Sequence, residues 1–263
     1  MRAKKHLGQH FLTSRSAAEA LCKAADLRAG EVVLEIGPGT GILTAELLNH
    51  GAELVAIEKD ADLLPGLRER FAEAIERQKL TLLEGDVSSF EPRKLGVYKV
   101  AANIPYYLTG DILRRFLSAE HQPLSMTLMV QKEVAERIVA KDKKESLLSL
   151  SVKAYGTPSI VKKVPAGSFS PPPKVDSAIL HIAGISRKCF ETSDESFFFK
   201  VLKAGFAHKR KQLGGNLAGI CSPEGIDGAL GALGKEKTVR AEDLSLAEWL
   251  ALAKNLQEVC KTK

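Results

Sequence analysis

Cysteine is scarce in this chain and thinly spread. Four of 263 residues are cysteine, at Cys22, Cys189, Cys221 and Cys260, with no C-x-x-C pair and no histidine cluster beside any of them. That pattern excludes the common zinc sites and a dense disulfide framework, so no metal is expected. Scattered, reduced thiols fit a cytoplasmic setting. No apolar run approaches the roughly 20 residues of a membrane span, and no membrane partner is expected. The chain opens Met1-Arg2-Ala3-Lys4-Lys5-His6, without the apolar core of a signal peptide. Its basic start, with no acid before Glu19, resembles an organellar presequence only faintly. Internal repeats and low-complexity tracts are also missing.

The composition is that of a globular protein, with 44% hydrophobic and 27% charged residues. The length suffices for one large domain and a small one around real cores. A formal net charge of +6 suits a polyanionic partner.

Strand-like and helical stretches alternate through the first two-thirds. Val32 to Ile36 reads as a buried strand that runs into glycines, and Thr40 to Leu48 has helical spacing. Leu54 to Ile57 is a second strand ending at Glu58, followed by one helix from Asp62 to Arg77. Leu80 to Leu83 is a third strand, stopping near Asp86, and Tyr98 to Ala102 is a fourth that delivers Asn103. A helix from Gly110 to Leu117 and a strand from Met126 to Val130 follow. The expected class is α/β, with a mainly parallel sheet and helices on both faces. Ligands in such folds sit beyond the carboxyl ends of the strands, where Gly37, Glu58, Asp86 and Asn103 fall. Further strands are expected from Ser159 to Val164 and from Ala178 to Ile182, flanking an extended loop whose prolines forbid helix. Gly184 to Ser196 reads as a linker, and Phe197 to Ala207 and Leu246 to Leu256 as helices of a small C-terminal domain. The domains are expected at 1–185 and 186–263.

Gly37-Pro38-Gly39-Thr40-Gly41 fails the dinucleotide fingerprint G-x-G-x-x-G, because its third glycine would fall at Ile42. NAD is therefore disfavoured. The pattern Glu35-x-Gly37-x-Gly39-x-Gly41 resembles instead the first motif of class I methyltransferases, although a glycine triplet alone also makes a plain strand-to-helix turn. Glu58, at a strand end about 20 residues on, can accept hydrogen bonds from two ribose hydroxyls. Asp86, at the next strand end, can take an adenine amine. Asp60 and Asp62 read as helix-start acids.

Asn103-Ile104-Pro105-Tyr106-Tyr107 suits the exocyclic amine of a flat base. An adenine N6 lone pair is delocalised into the ring, so a site helps by accepting hydrogen bonds from its N–H groups. The Asn103 side-chain carbonyl can do this. The Ile104-Pro105 linkage keeps the chain extended and leaves a main-chain carbonyl to do the same. Tyr106 offers a face for stacking. In isolation the segment would equally be a tight turn with a packed aromatic.

Five segments together are similar to the small-subunit (16S) ribosomal RNA adenine N6-dimethyltransferase family. They are Gln9-His10-Phe11-Leu12, Glu35 to Gly41, Asn103 to Tyr107, Val130-Gln131-Lys132-Glu133-Val134, and Ser168-Phe169-Ser170-Pro171-Pro172-Pro173-Lys174-Val175-Asp176-Ser177. The ending Pro173-Lys174-Val175-Asp176-Ser177 and the C-terminal Lys209-Arg210-Lys211-Gln212-Leu213-Gly214-Gly215-Asn216-Leu217 point to the 16S branch rather than the 23S resistance branch, and Arg240 to Ser245 adds to this. The resemblance implies a Rossmann-like domain and S-adenosyl-L-methionine as cofactor. It implies dimethylation of two adjacent adenosines in the 3′-terminal hairpin loop of 16S rRNA. Cofactor contacts are implied at His10, Leu12, Gly37, Gly39, Glu58, Asp86 and Asn103. Catalytic roles are implied for Asn103, Pro105, Tyr106 and Phe169, with Phe169 and Tyr106 sandwiching the flipped base. Since the N-terminal motif joins the site, no removable leader is expected. The chain departs from the family pattern after Ala140, where Lys141 to Leu148 replace a turn rich in proline and glycine.

Lys209, Arg210 and Lys211 are the expected RNA-binding cluster, and Arg2, Lys4, Lys5, Arg15, Lys162, Lys163 and Lys174 are further candidates for phosphate contacts. The partner expected is 16S rRNA in the small subunit or its precursor, met by a monomer in the cytoplasm. The alternatives are a 23S rRNA methyltransferase and, in another class, a ribosome-assembly or nucleic-acid-binding factor on the same fold. A DNA adenine methyltransferase is disfavoured, since no target-recognition insertion is evident.

Overall fold

A computed structural model describes residue 4 and residues 8–261, with no account of the Lys261 side chain. Arg2 and Lys5, candidates for phosphate contacts, lie outside the described residues. The chain forms two compact units, 1–136 with 156–185, and 137–155 with 186–263. This division differs from the expected one by residues 137–155, an excursion that groups with the C-terminal residues.

The larger unit opens with a short strand β1 (Phe11–Leu12) and helix α1 (Arg15–Ala25). Sequence reading missed both, although Ser14 marks the helix start by accepting from the Ala17 N–H at 3.3 Å. Then come β2 (Val32–Ile36), α2 (Ile42–Asn49), β3 (Glu53–Glu58), α3 (Leu64–Arg70), α4 (Ala72–Glu76), β4 (Leu80–Glu84), β5 (Tyr98–Asn103), α5 (Thr109–Leu117), β6 (Met126–Gln131) and α6 (Lys132–Ile138). After the excursion, β7 (Thr157–Val164), β8 (Phe169–Ser170) and β9 (Ser177–Ala183) complete the unit. The seven-stranded sheet has the order β4-β3-β2-β5-β6-β9-β7, with β2 to β6 parallel and β9 antiparallel to both neighbours.

One expected helix, from Asp62 to Arg77, is broken. A 3-10 turn over Ala61–Leu63 leads into α3, with Pro65 in its first turn, and Phe71 leaves helical geometry at φ −111° and ψ 22°. The break puts the Phe71 ring against Gly41, where any Cβ would stand 2.5 Å from it. Gly41 also has φ +80°, so glycine is required there twice over.

The strand order reverses between β2 and β5, because the chain winds outward through β3 and β4 and then returns to the other side of β2. Register is shared across the reversal, with Ile36 level with both Ile57 and Ala102. The loops that follow β2, β3, β4 and β5 therefore open at one edge of the sheet, the position where α/β folds bind ligands.

The smaller unit contains α7 (Leu147–Lys153), α8 (Glu195–Gly205), α9 (Leu213–Leu217), α10 (Pro223–Gly231) and α11 (Leu246–Lys261). Trp249 is fully buried, and a Cβ on Gly205 would collide with its ring, so α8 and α11 pack through that glycine. The Lys141 to Leu148 segment runs into a capping box at the start of α7: Ser146 Oγ accepts from the Ser149 N–H at 3.0 Å and Ser149 Oγ from the Ser146 N–H at 2.6 Å.

Candidate active site

The reversal point opens into a cleft. Its lining brings together His10, Leu12, Gly37, Gly39, Glu58, Asp86, Asn103, Pro105 and Tyr106. Of the residues expected to hold cofactor or acceptor, only Phe169 is not part of that lining. Phe169 pairs with Leu12 across β1 and β8 and is 3% exposed within the hydrophobic core. An aromatic side chain beside Leu12 gains more from burial than from solvent contact, and here it backs the cleft wall.

The glycine loop is shaped for a ligand. Gly37 has φ +69° with open space where a Cβ would stand, so a ligand can approach its backbone. Gly39, at φ +60°, is closed on that side by the Phe11 ring, 3.1 Å from where a Cβ would stand.

Glu58 is 5% exposed and uses both oxygens: Oε1 accepts from the Asp60 N–H at 2.8 Å and Oε2 from the Gly39 N–H at 3.0 Å. Burial pushes its carboxyl above the usual range, and these N–H groups oppose the shift. The glycine loop and the acid that ends β3 are thus fixed to each other. Asp86 pairs with Lys59 Nζ at 2.8 Å and accepts from the Ser88 N–H at 2.8 Å, which together hold its carboxyl down at about 2. It is an anion with an amine already beside it.

Glu35 lies in the same cleft but is 1% exposed, with Oε2 accepting from Thr44 Oγ1 at 2.8 Å and Oε1 without a partner. Burial pushes its carboxyl up to about 8, the Thr44 hydrogen bond opposes this, and the Glu58 charge adds to it. Sequence reading treats Glu35 only as the head of the glycine motif. An acid inside the apolar run Val32 to Ile36 is the signal that it does more.

On the acceptor side, Asn103 Nδ2 donates to the His10 carbonyl at 3.2 Å. That bond fixes the orientation of the amide, whose oxygen is its acceptor atom. Pro105 precedes a 3-10 turn, and its carbonyl accepts from the Leu108 N–H at 3.0 Å. Tyr106 stacks on His10, ring centroids 5.8 Å apart and planes 24° off parallel, and its hydroxyl lies 2.6 Å from Ser177 Oγ. His10 is held in turn by Nδ1 at 2.7 Å from the Pro171 carbonyl. His10 thus covers one face of Tyr106.

The cations divide into two groups. Lys4 and Arg15 are engaged, Lys4 with Asp60 and Asp62 at 2.6 Å each and Arg15 with Glu46 at 2.7 Å. Lys162, Lys163 and Lys174 are exposed in the larger unit. Lys209, Arg210 and Lys211 belong to the smaller unit, all exposed between α8 and α9. Asn216 shapes that loop, with Nδ2 donating to the carbonyls of Gly205 at 2.6 Å and His208 at 3.1 Å. Among the described residues no helix is long and apolar enough to cross a membrane, and no group of metal-binding side chains is gathered.

Comparison with known proteins gives one consistent result. The family model for ribosomal RNA adenine dimethylase matches residues 1–258. A ribosomal RNA small subunit methyltransferase A from Dehalococcoides mccartyi is 43% identical over 96% of this chain and 88% of its own length. One from Thermosynechococcus vestitus is 39% identical over 98% of both chains. Among solved structures, a dimethyladenosine transferase from Plasmodium falciparum has a TM-score of 0.81 and 25% identity, covering 95% of this chain and 98% of that one. The 23S rRNA methyltransferase ErmE, at 24% identity and a TM-score of 0.77 over 94% of this chain and 99% of its own, shares the fold.

Proposed function

The chain belongs to the ribosomal RNA adenine dimethylase family, and from that membership we propose that it dimethylates N6 of two adjacent adenosines in the 3′-terminal hairpin loop of 16S rRNA. The observation that carries the reading is the single cleft in which the glycine loop, Glu58 and Asp86 meet Asn103, Pro105 and Tyr106. The cofactor is S-adenosylmethionine, which when bound supplies a methyl group on a sulfonium, a good leaving group. The fit rests on open space over Gly37, a buried carboxyl oxygen on Glu35 without a partner, and two acids at or just beyond adjacent strand ends.

In this reading Glu58 takes the ribose hydroxyls and Asp86 the adenine amine, which competes there with Lys59. His10 and Leu12 close the cleft from the N-terminal side. Tyr106 stacks the target base. Asn103 accepts from the N6 amine, favouring a pyramidal nitrogen whose lone pair faces the methyl group, an arrangement that stabilises the transition state more than the ground state. Phe169 contributes from behind, by holding Leu12. Lys209, Arg210 and Lys211 meet phosphates, which orients RNA without reading its sequence. The chain acts as a cytoplasmic monomer on the small subunit or its precursor.

The test is incubation with labelled S-adenosylmethionine and unmethylated small or large subunits, followed by mapping of modified bases. Label on two adjacent small-subunit adenosines is expected. Label confined to large subunits would overturn the reading.

A further inference from the structure

Residues 8–13 run across the cleft and are fastened at both ends. Toward the proline loop, β1 pairs with β8, and the Thr13 N–H donates to the Ser168 carbonyl at 2.8 Å. Toward the cofactor half, Gln9 Nε2 donates to Asp60 Oδ2 at 2.8 Å, and Lys4 Nζ donates to Asp60 Oδ1 at 2.6 Å. Gln9 Oε1 accepts from the Lys4 N–H at 2.8 Å, which closes the fastening. Midway, the His10 carbonyl holds the Asn103 amide.

Asp60 has more partners than its local place explains. As the start of a 3-10 turn it needs only to accept from the Asp62 N–H, which it does at 3.2 Å. An acid with that task alone would be solvated, yet Asp60 is 4% exposed. Burial pushes its carboxyl up, and the hydrogen bonds from Lys4 and Gln9, with the turn N–H, overcome this and hold it below the usual range. A buried carboxylate that is fully hydrogen-bonded is tolerated, and removing one partner is costly. Its own N–H, meanwhile, fixes Glu58.

We propose that Asp60 is a positioning residue for methyl transfer. Through Gln9 and Lys4 it seats residues 8–12 across the cleft, so that His10 and Leu12 close on the cofactor and the His10 carbonyl orients Asn103. Asp60 touches neither ligand. The proposal rests on the reading of the cleft as an S-adenosylmethionine site. It gives this acid two effects: weaker cofactor binding, and slower transfer when the cofactor is saturating.

The variants are Asp60→Asn, which keeps an oxygen to cap the turn, and Gln9→Ala, which cuts the fastening from the half-buried side. Each is titrated calorimetrically with S-adenosylmethionine and assayed by single turnover on unmethylated small subunits. Each should weaken cofactor binding and lower the saturated rate by about 10- to 150-fold, the range for hydrogen bonds to a charged group. The double variant should be no worse than the worse single one, because both cut one fastening. Wild-type affinity and rate in both single variants would reduce Asp60 to a turn cap and overturn the proposal. Additive losses accompanied by an equal fall in melting temperature would overturn it as well, by making the effect one of general stability. A wild-type chain that fails to bind S-adenosylmethionine would overturn the cofactor reading itself, and the proposal with it.

Discussion

The Tyr106 hydroxyl lies 2.6 Å from Ser177 Oγ, and Ser177 has no exposed surface. Ser177 opens β9, level with Gln131 of β6, so the sheet itself sets the position of the ring expected to carry the base. Tyr106→Phe keeps the stacking face and loses only this tie. It should slow single turnover by about 2- to 10-fold, the cost of one hydrogen bond. Ser177→Ala should cost the same, and the pair together no more. A wild-type rate in Ser177→Ala would show that packing alone orients the ring.

Glu58 and Asn103 should separate cleanly in kinetics. Glu58→Ala should weaken S-adenosylmethionine binding by roughly 1.5–3 kcal/mol, the value of hydrogen bonds to a charged group. Asn103→Ala should depress the saturated single-turnover rate far more than cofactor affinity, because its stronger contact is at the reacting nitrogen. Calorimetry and single-turnover assays on both variants check this, and an unchanged rate in Asn103→Ala would sink the proposed role of its amide.

The contrast between these residues and Asp60 shows what was legible in the sequence. Glu58 and Asn103 each end a strand and Asp86 stands two residues beyond one, and strand ends are readable from apolar runs. Parallel register then brings them to one edge, so position along the chain translates directly into position in space. Asp60 carries no such mark. Its neighbour Asp62 is 77% exposed at the side chain, and since Lys4 pairs with both acids, burial and the arrival of Gln9 from 51 residues away distinguish Asp60. The burial of Phe169 was not legible either, since the pairing of β8 with β1 joins segments more than 150 residues apart. The helix expected from Asp62 to Arg77 failed for a similar reason: Phe71 breaks regular geometry to pack on Gly41, a contact that helical propensity does not contain.

Glu35 makes the stability of the empty protein depend on pH. Its folded pKa, raised to about 8, exceeds the unfolded value, so between about 4.5 and 8 the native state holds a proton that the unfolded chain has lost. The contribution is fully present below about 4.5 and is lost as pH rises through about 8. Glu35→Gln removes the titration while keeping an acceptor for Thr44 Oγ1. Relative to wild type the variant should gain roughly 2–4 kcal/mol between pH 5 and pH 8.5. Urea unfolding of the cofactor-free protein at the two pH values measures it. A difference that stays constant with pH would mean that Glu35 is already ionised in the folded state.

Lys209, Arg210 and Lys211 stand exposed on one loop whose shape is set from within, by Asn216 holding the Gly205 and His208 carbonyls. Three consecutive cations on one loop can meet neighbouring phosphates together. Replacing all three with Ala should therefore weaken binding to small subunits and flatten its salt dependence. Each lost phosphate contact should lower the slope of log affinity against log salt by about 0.7 to 0.9. Affinity for S-adenosylmethionine should stay near the wild-type value, because none of the three lines the cleft. Binding measured at several salt concentrations, with cofactor titration as the control for folding, tests this. If slope and affinity both match wild type, the cluster is a solvated face, and the cations that meet RNA must be sought among Lys162, Lys163 and Lys174.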